Sequence, residues 1–160
     1  MIFASLRNTP WEPAFEWLTD VGQVADQINS YHEDYPKYVA GIVVAIQRGV
    51  TNSNPNHAFL RSCHRTIFGG TKQYRYRRVN VRVGLHRPPS HASVGSLMAE
   101  LQDTYSVPFQ GKDIFTLEEW YKDFETVHPF VDGNGRVGGV VVALYSHLWF
   151  PEKGYYTVKQ

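Results

Sequence analysis

Nine consecutive residues, His128-Pro-Phe-Val-Asp-Gly-Asn-Gly-Arg136, combine an imidazole, a carboxylate, two glycines and a guanidinium. Gly133 and Gly135 allow the backbone to adopt positive φ and to turn its amides toward one point, which forms a nest for an anion. Arg136 can bind phosphate oxygens through two parallel hydrogen bonds. The composition of this loop therefore favours chemistry at a phosphate group.

The other side chains of the loop fit the same chemistry. Mg²⁺ beside phosphates usually takes one or two protein carboxylates and completes its shell with water and phosphate, so Asp132 is a candidate ligand. The imidazole of His128 titrates near neutral pH, so it can remove a proton from an incoming hydroxyl. Phe130 is expected to anchor the loop in the core. The plainer alternatives are a turn residue at Asp132 and a surface ion pair at Arg136.

Two amphipathic segments must position this loop. Thr116 and Glu119 form a capping box that predicts a helix before the loop. A second helix that begins near Gly135 would direct its unpaired N–H groups into the space beside the loop. The apolar faces at helical spacing are Leu117, Trp120, Phe124 and Val127 before the loop, and Val137, Val140, Val141, Leu144 and Leu148 after it.

Helical spacing recurs through most of the remaining chain. Asp20 is placed to cap a helix over residues 21–31, Gly49 to end a second one, and Asn54-Pro55 to open a third. Residues 94–105 predict a fourth, whereas residues 74–83 alternate large and polar side chains as a strand does. We therefore predict an all-α fold, a compact helical bundle with one short β-hairpin, in a single domain over residues 1–160.

Length and composition agree with such a domain. The chain has 160 residues, 42% of them hydrophobic, which is enough for a core without a disulfide or metal. One cysteine, Cys63, excludes an internal disulfide and multi-cysteine metal motifs. Apolar runs are far shorter than the ~20 residues of a membrane span, and residues 1–7 lack a secretory pattern, so a cytoplasmic protein is expected. The net charge of +1 argues against a nucleic-acid partner.

Three weaker interpretations concern the loop glycines, two histidines and the segment of residues 74–78. Gly133-Asn-Gly-Arg-Val-Gly138 fits the dinucleotide fingerprint, which requires a buried strand before it and an acidic residue about twenty positions later. His57 and His64 share a helix face but need a third ligand to hold zinc. The run of residues 74–78 interleaves aromatic and basic side chains, as nucleic-acid sites do.

The loop resembles the signature of the Fic family, His-x-Phe-x-Asp/Glu-Gly-Asn-Gly-Arg-x-x-Arg. The likeness extends to residues 60–75, which resemble the family's helix leading into its β-hairpin flap, and to residues 94–101, which resemble the helix after the flap. The similarity implies a Fic core over roughly residues 55–150, with residues 1–47 as additional N-terminal helices.

This resemblance implies a Mg²⁺-dependent nucleotidyltransferase, a protein adenylyltransferase that moves AMP from ATP to a Tyr, Ser or Thr hydroxyl of a target protein. It implies that His128 is the general base and Asp132 the Mg²⁺ ligand. The residues implied to bind the phosphates are Gly133, Asn134, Gly135 and Arg136, the last also holding them in line for catalysis.

The resemblance also implies protein partners. The flap residues Tyr74, Arg75 and Tyr76 would bind the target as an added strand, which is a general mode of peptide recognition. An antitoxin or inhibitor protein is a further implied partner of a toxin-like member. The resemblance implies a bacterial or phage cytoplasm, and neither a membrane nor nucleic acid is expected to bind.

Gly139 stands where the family signature has its second arginine. Loss of a bidentate phosphate contact costs roughly 1.5–3 kcal/mol. Two alternatives follow from this departure: a kinase or other phosphoryl transferase similar to the Doc-type toxins, or a weak or inactive relative that binds proteins. Arg75, Arg77 and Arg78 of the flap are candidates to supply the missing charge.

Overall fold

The computed structural model describes residues 6, 12–30, 32, 36–50 and 52–159. Strands β1 (Ala14–Leu18) and β2 (Tyr155–Lys159) pair antiparallel, with Phe15 opposite Val158. Six helices make up most of this described part, none of them long and apolar enough to cross a bilayer. They are α1 (Val21–Asn29), α2 (Val39–Arg48), α3 (His57–Phe68), α4 (His91–Ser106), α5 (Ile114–Val127) and α6 (Asn134–Trp149).

Helix α6 forms the centre of the bundle. It contacts α1, α2, α3, α5 and β2, and all of residues 136–146 are buried. A helix that is apolar around its whole circumference is stable only when other elements cover every face. The first turn of α6, which follows the loop, is therefore held in place from several sides. The predicted fold class, a mainly α helical bundle with one short β-hairpin, is confirmed, although among the described residues β1 and β2 form the strand pair rather than the flap.

Some predicted helix ends are confirmed and others are wrong. Asp20 caps α1 by accepting a hydrogen bond from the Gln23 N–H at 3.0 Å, although Tyr31 at the predicted end lies outside the described residues. Gly49 ends α2 with a φ of 73°. The predicted start of α3 at Asn54-Pro55 is wrong: the N-cap is Asn56, whose Oδ1 accepts from the Phe59 N–H at 2.8 Å. Asp20 and Asn56 start their helices because their side chains satisfy one of the first free N–H groups.

The predicted capping box at the start of α5 is wrong. Asp113 is the N-cap, and its Oδ1 accepts a hydrogen bond from the Phe115 N–H at 3.0 Å. Thr116 lies inside the first turn, where its own N–H donates to the Asp113 carbonyl at 3.0 Å. The carboxylate, which is placed earlier in the chain and interacts favourably with the helix dipole, starts the helix before Thr116.

The strand predicted for residues 74–83 is also wrong. This segment, here called the flap (residues 70–90), has no regular strand, and its one bridge joins Val83 to His86. Its backbone bonds instead to the loop: the Arg77 N–H donates to the Pro129 carbonyl at 2.8 Å. His86 Nε2 donates to the Thr126 carbonyl at 3.0 Å. Because the loop accepts the hydrogen bond of the Arg77 N–H, and the end of α5 that of His86, neither donor needs a second flap strand.

Candidate active site

The loop begins with an unusual backbone turn. His128 ends α5 in the left-handed region, with a φ of 54°, and its N–H donates to the Phe124 carbonyl at 3.0 Å. Two residues later, the fully buried Phe130 pairs with Asn134, whose Oδ1 accepts from the Phe130 N–H at 2.9 Å and whose Nδ2 donates to its carbonyl at 2.8 Å. The Asn134 side chain is therefore committed to the loop, which leaves only its backbone N–H for a ligand.

Gly133 is required by its conformation and by its neighbours. Its φ is 89°, and a Cβ atom there would overlap the Phe68 ring and lie 3.2 Å from His64 Nε2. The same His64 nitrogen donates to the Asp132 carbonyl at 2.9 Å. The side chains of α3 thus fix the turn that places Gly133 at the start of α6.

Asp132 is half-exposed and is held by three donors. Lys72 Nζ lies 2.6 Å from its Oδ2, while its Oδ1 accepts from the Gly133 N–H at 2.8 Å and lies 3.5 Å from Arg136 Nη2. Partial burial acts to raise the pKa of Asp132. The Lys72 hydrogen bond and the charges of Lys72 and Arg136 outweigh it, so the net pKa is lowered. Asp132 is therefore a carboxylate at neutral pH.

Arg136 lies in the core beneath the loop. It is 2% exposed, with its guanidinium 4.7 Å from the centre of the Phe68 ring and 5.5 Å from that of Tyr38. Its Nη1 donates to Asn29 Oδ1 at 3.3 Å. The guanidinium is therefore not exposed for the predicted phosphate contact. The alternative, a surface ion pair at Arg136, is wrong because the side chain is buried. Arg136 is placed to orient Asp132.

A cavity of about 460 Å³ opens beside the loop. It brings together five of the predicted site residues, namely His128, Asp132, Gly133, Asn134 and Gly135. The predicted target-binding residues line a separate groove; they are Tyr74, Arg75 and Tyr76. Because α6 begins at Asn134, its first-turn N–H groups have no acceptor within the helix and can serve a ligand in this cavity.

The environment of His128 favours the neutral imidazole. Burial and the nearby Arg77 and His86 lower its pKa to about 4, against the opposing effects of the Glu125 carbonyl, to which it is hydrogen-bonded, and the Asp132 charge. At pH 7 the ring is therefore uncharged and has a lone pair that can accept a proton.

Arg77 has a different role from the one predicted. It is 2% exposed, so it cannot supply the missing phosphate charge. Its guanidinium donates to the carbonyls of His128 at 2.7 Å, Val127 at 3.1 Å, Val79 at 3.0 Å and Pro89 at 2.6 Å. Arg77 therefore joins the flap to the loop. Nothing in the sequence distinguishes it from Arg75 and Arg78, which are exposed.

Glu125 lines the cavity and, like Arg77, has a place in the site that the sequence did not indicate. It precedes His128 by one helical turn, a spacing that could have indicated a shared face. The side chain lines the cavity and is 7% exposed, and in the described part of the chain its Oε1 has no hydrogen-bond partner. Burial raises the pKa of Glu125 to about 8, so the carboxyl is mostly protonated at pH 7.

Glu125→Gln is expected to remove a pH-dependent loss of stability. Because the folded pKa of about 8 exceeds the ordinary value of 4.5, the stabilising effect of protonation is complete below 4.5 and is lost as pH rises through 8. Both proteins share the contribution of the histidines with lowered pKa values, so relative to the glutamine variant the wild type should lose up to about 1.4 kcal/mol per pH unit above pH 7. Urea unfolding at pH 7 and 8.5 measures this slope, and an equal slope in the glutamine variant would refute the assignment.

The space beside Gly139 is occupied by packed side-chain atoms, so no room is left there for an arginine side chain. A Cβ atom there would lie 3.1 Å from Ile28 Cγ1 and 3.2 Å from Ile28 Cγ2. Because Ile28 is fully buried on α1, a longer side chain at 139 must displace that helix. The absence of a side chain at position 139 is thus coupled to the packing of α1 on α6.

Gly139→Arg is accordingly expected to destabilise the protein by about 3 kcal/mol or more, since it overpacks the core and buries a charge. Gly139→Ala serves as the matched control, in which improved helix propensity of about 1 kcal/mol offsets the close contact. Thermal unfolding of both variants tests the difference. Equal melting temperatures for Gly139→Arg and the wild type would show that α1 does not occupy this space.

The residues of the site can bind Mg²⁺ only when phosphate groups supply further ligands to the ion. Among the described residues no group of three or more His, Cys, Asp or Glu side chains could hold a metal. Asp132 alone supplies one carboxylate, which is enough where phosphates supply further ligands. Zinc at His57 and His64 lacks support, since His57 Nδ1 lies 2.7 Å from the Tyr76 hydroxyl and His64 bonds to the loop. The dinucleotide interpretation is wrong because a helix precedes the glycines.

Comparison with known proteins identifies relatives of this fold. No curated protein matches the chain. A Fic-domain-containing signaling protein from Bacteroides thetaiotaomicron is 16% identical, with a TM-score of 0.60 over 78% of this chain and 55% of its own. A Fic family protein from Desulfovibrio desulfuricans is 25% identical, with a TM-score of 0.60 over 81% of this chain and 43% of its own. The chain therefore spans about half the length of these relatives.

The family assignment rests on the sequence match that contains the loop. The profile of the Fic/DOC family matches residues 54–146, which run from before α3 to near the end of α6 and include the flap and the loop. This match covers more than half of the chain. The chain therefore belongs to the Fic/DOC family.

Proposed function

We propose that the protein transfers AMP from ATP to a Tyr, Ser or Thr hydroxyl of a target protein. Members of the Fic/DOC family are generally transferases. The observation that carries the proposal is the juxtaposition, in one cavity, of an uncharged His128 and the N-terminus of α6. The first group can accept a proton and the second can bind an anion, which are the two functions this reaction requires.

In the proposed reaction the target hydroxyl oxygen attacks the α-phosphorus of ATP. A new P–O bond forms to the hydroxyl oxygen, the bond between the α-phosphorus and the bridging oxygen breaks, and pyrophosphate leaves. His128 takes the hydroxyl proton. The backbone N–H groups of Asn134 and Gly135 stabilise negative charge on the phosphates.

Two residues support the phosphates indirectly in this proposal. Asp132 would hold Mg²⁺, which supplies positive charge to the phosphates when bound. Arg136 acts through its 3.5 Å ion pair with Asp132 rather than by direct contact. Lys72, whose Nζ lies 2.6 Å from the same carboxylate, is placed to approach the phosphates as well. We infer a cytoplasmic location, where ATP is available, and an antitoxin or inhibitor protein remains an expected partner.

Labelled ATP tests the proposal. The protein is incubated with cell lysate and with ATP labelled at either the α or the γ phosphate, beside His128→Ala. Label transferred to protein from the α position alone, and dependent on His128, is the expected result. No His128-dependent transfer from either position would refute the proposal and favour a protein-binding module.

The packing at Gly139 favours one second candidate, transfer of the γ-phosphate. Ile28 occupies the space beside Gly139, which supports a different way of holding the outer phosphates of a nucleotide in a chain without an arginine there. A nucleotide bound with its γ-phosphate toward His128 would make the protein a kinase similar to the Doc-type members. Transfer of label from the γ position alone would identify that activity in the same experiment.

A further inference from the structure

The charges of this chain are strongly segregated along the sequence. Residues 35–99 contain ten of the sixteen Lys and Arg residues and none of the fifteen Asp and Glu residues. The rest of the chain therefore has a net charge of −9, although the whole molecule has +1. In the structure, the basic stretch supplies α2, α3, the flap and the start of α4.

Four arginines of this stretch form an exposed cluster beside two adjoining grooves. Arg61 and Arg65 extend from α3, and Arg75 and Arg78 from the flap, and all four are exposed. The grooves measure about 510 and 490 Å³ and share Tyr74, Arg75 and Arg78 in their linings. We call these grooves, with the four arginines, the basic groove.

The aromatic rings of the basic groove are covered by guanidinium groups. Arg65 lies 5.3 Å and Arg75 5.9 Å from the centre of the Tyr74 ring, and Arg61 lies 4.9 Å from that of Tyr76. Such contacts orient guanidinium groups and leave their N–H donors available for an anion. Within the part of the chain that the structure describes, no carboxylate forms an ion pair with these arginines.

The basic groove leads directly to the loop. Lys72 lines one of its two parts, and the Lys72 Nζ atom lies 2.6 Å from Asp132 Oδ2. A polypeptide lying in the groove would therefore pass close to the cavity that contains His128. This position is suited to a segment that flanks the reacting hydroxyl.

We propose that the basic groove binds an acidic segment of the target polypeptide. This inference rests on the proposed function, because it assigns a chemical character to the substrate of the same site. Arginine binds carboxylates through two parallel hydrogen bonds, so successive Asp or Glu side chains can pair with the two arginines of α3 and the two of the flap. The segment is recognised by charge at the flap, which has no regular strand for an added strand to extend.

A polypeptide fits these observations better than nucleic acid does. Base stacking requires an open aromatic face, and arginines lie against both Tyr74 and Tyr76. A long polyanion would also extend beyond the groove, where the rest of the molecule carries a net negative charge and repels it.

Fluorescence anisotropy tests the proposal without the reaction. The probe is a labelled ten-residue peptide of Glu and Ser with one central Tyr, compared with the same peptide carrying Lys for Glu and with a single-stranded oligonucleotide of equal charge. The proteins are the wild type, the double variants Arg61→Gln/Arg65→Gln and Arg75→Gln/Arg78→Gln, and Lys112→Asn as a control. Lys112 is an exposed cation between α4 and α5, and asparagine tolerates its φ of 52°.

The wild type and Lys112→Asn should bind the acidic peptide with equal affinity and the lysine peptide at least tenfold more weakly. Each double variant should weaken binding of the acidic peptide about tenfold, and added salt should weaken it further. No binding of the acidic peptide, unchanged affinity in both double variants, or tighter binding of the oligonucleotide would overturn the proposal. This binding experiment contains no ATP, so a failure to bind the acidic peptide does not refute AMP transfer. A failure of AMP transfer likewise does not refute peptide binding.

Discussion

Replacing His128 with alanine is expected to reduce AMP transfer by a factor of about 10²–10⁴, the usual contribution of a general base. The neutral ring, with its pKa lowered to about 4, is the proton acceptor that the cavity offers beside the α6 N-terminus. The initial rate of label transfer from α-labelled ATP measures the loss. A variant that retains the wild-type rate would show that another group takes the proton.

The backbone of His128 requires a second variant and a control. Its φ of 54° is poorly tolerated by alanine but accepted by asparagine, so His128→Asn removes the base with less strain. His147→Gln, on α6 and outside the cavity, controls for loss of a histidine in general. Both His128 variants should be inactive while His147→Gln remains active, and thermal unfolding should show that all three proteins are folded.

The pH profile gives an independent readout of the same group. A base with a pKa of about 4 is fully deprotonated above pH 6, so kcat/KM should stay constant from about pH 6 to 8 with respect to this group. A rise centred near pH 6.5 would mean that the His128 ring titrates as if exposed to solvent. Burial and the charge of the neighbouring Arg77 would then not lower the pKa of His128.

Replacing Arg77 with methionine is expected to destabilise the protein by about 4–6 kcal/mol. Hydrogen bonds to charged groups contribute roughly 1.5–3 kcal/mol each, and the four that the substitution removes share one guanidinium, so their contributions add up to less than the sum. Burial lowers the pKa of Arg77, but the residue remains a cation that these carbonyls stabilise. Urea unfolding measures the change in the free energy of unfolding.

Arg75→Met is the matched control for Arg77→Met. The two arginines are neighbours in the flap, but Arg75 is exposed, and surface substitutions usually change stability by less than about 0.5 kcal/mol. Equal stability of the two variants would contradict the role of Arg77 as the link between flap and loop. Where Arg77→Met still folds, its transfer rate should also fall, because the guanidinium holds the carbonyl of His128 at 2.7 Å.

The helices could be predicted because their signals are local. Apolar residues at helical spacing mark α1, α2 and α6, and Asp20 and Gly49 occupy the expected end positions. The loop could be found for the same reason, since its polar groups and glycines are consecutive in the sequence. Local patterns predict such elements well when burial and propensity agree.

The remaining features depend on contacts between distant parts of the chain. Residues 74–83 alternate as a strand does, but the residues that the structure describes offer them no partner strand, and the Arg77 N–H bonds to the Pro129 carbonyl instead. Likewise, the sequence predicts that Arg136 is a phosphate ligand, whereas in the structure the rings of Phe68 and Tyr38 lie against its guanidinium. The packing of Ile28 on Gly139 joins residues more than a hundred positions apart, so spacing along the chain could not reveal it.

The proposed function requires that the loop between α5 and α6 binds the phosphates of a nucleotide beside His128. A crystal structure with Mg²⁺ and a non-hydrolysable ATP analogue tests it most directly. We expect phosphate oxygens within hydrogen-bond distance of the N–H groups of Asn134 and Gly135, with Mg²⁺ on Asp132. A nucleotide bound elsewhere, in crystals whose loop cavity is open to solvent, would contradict it.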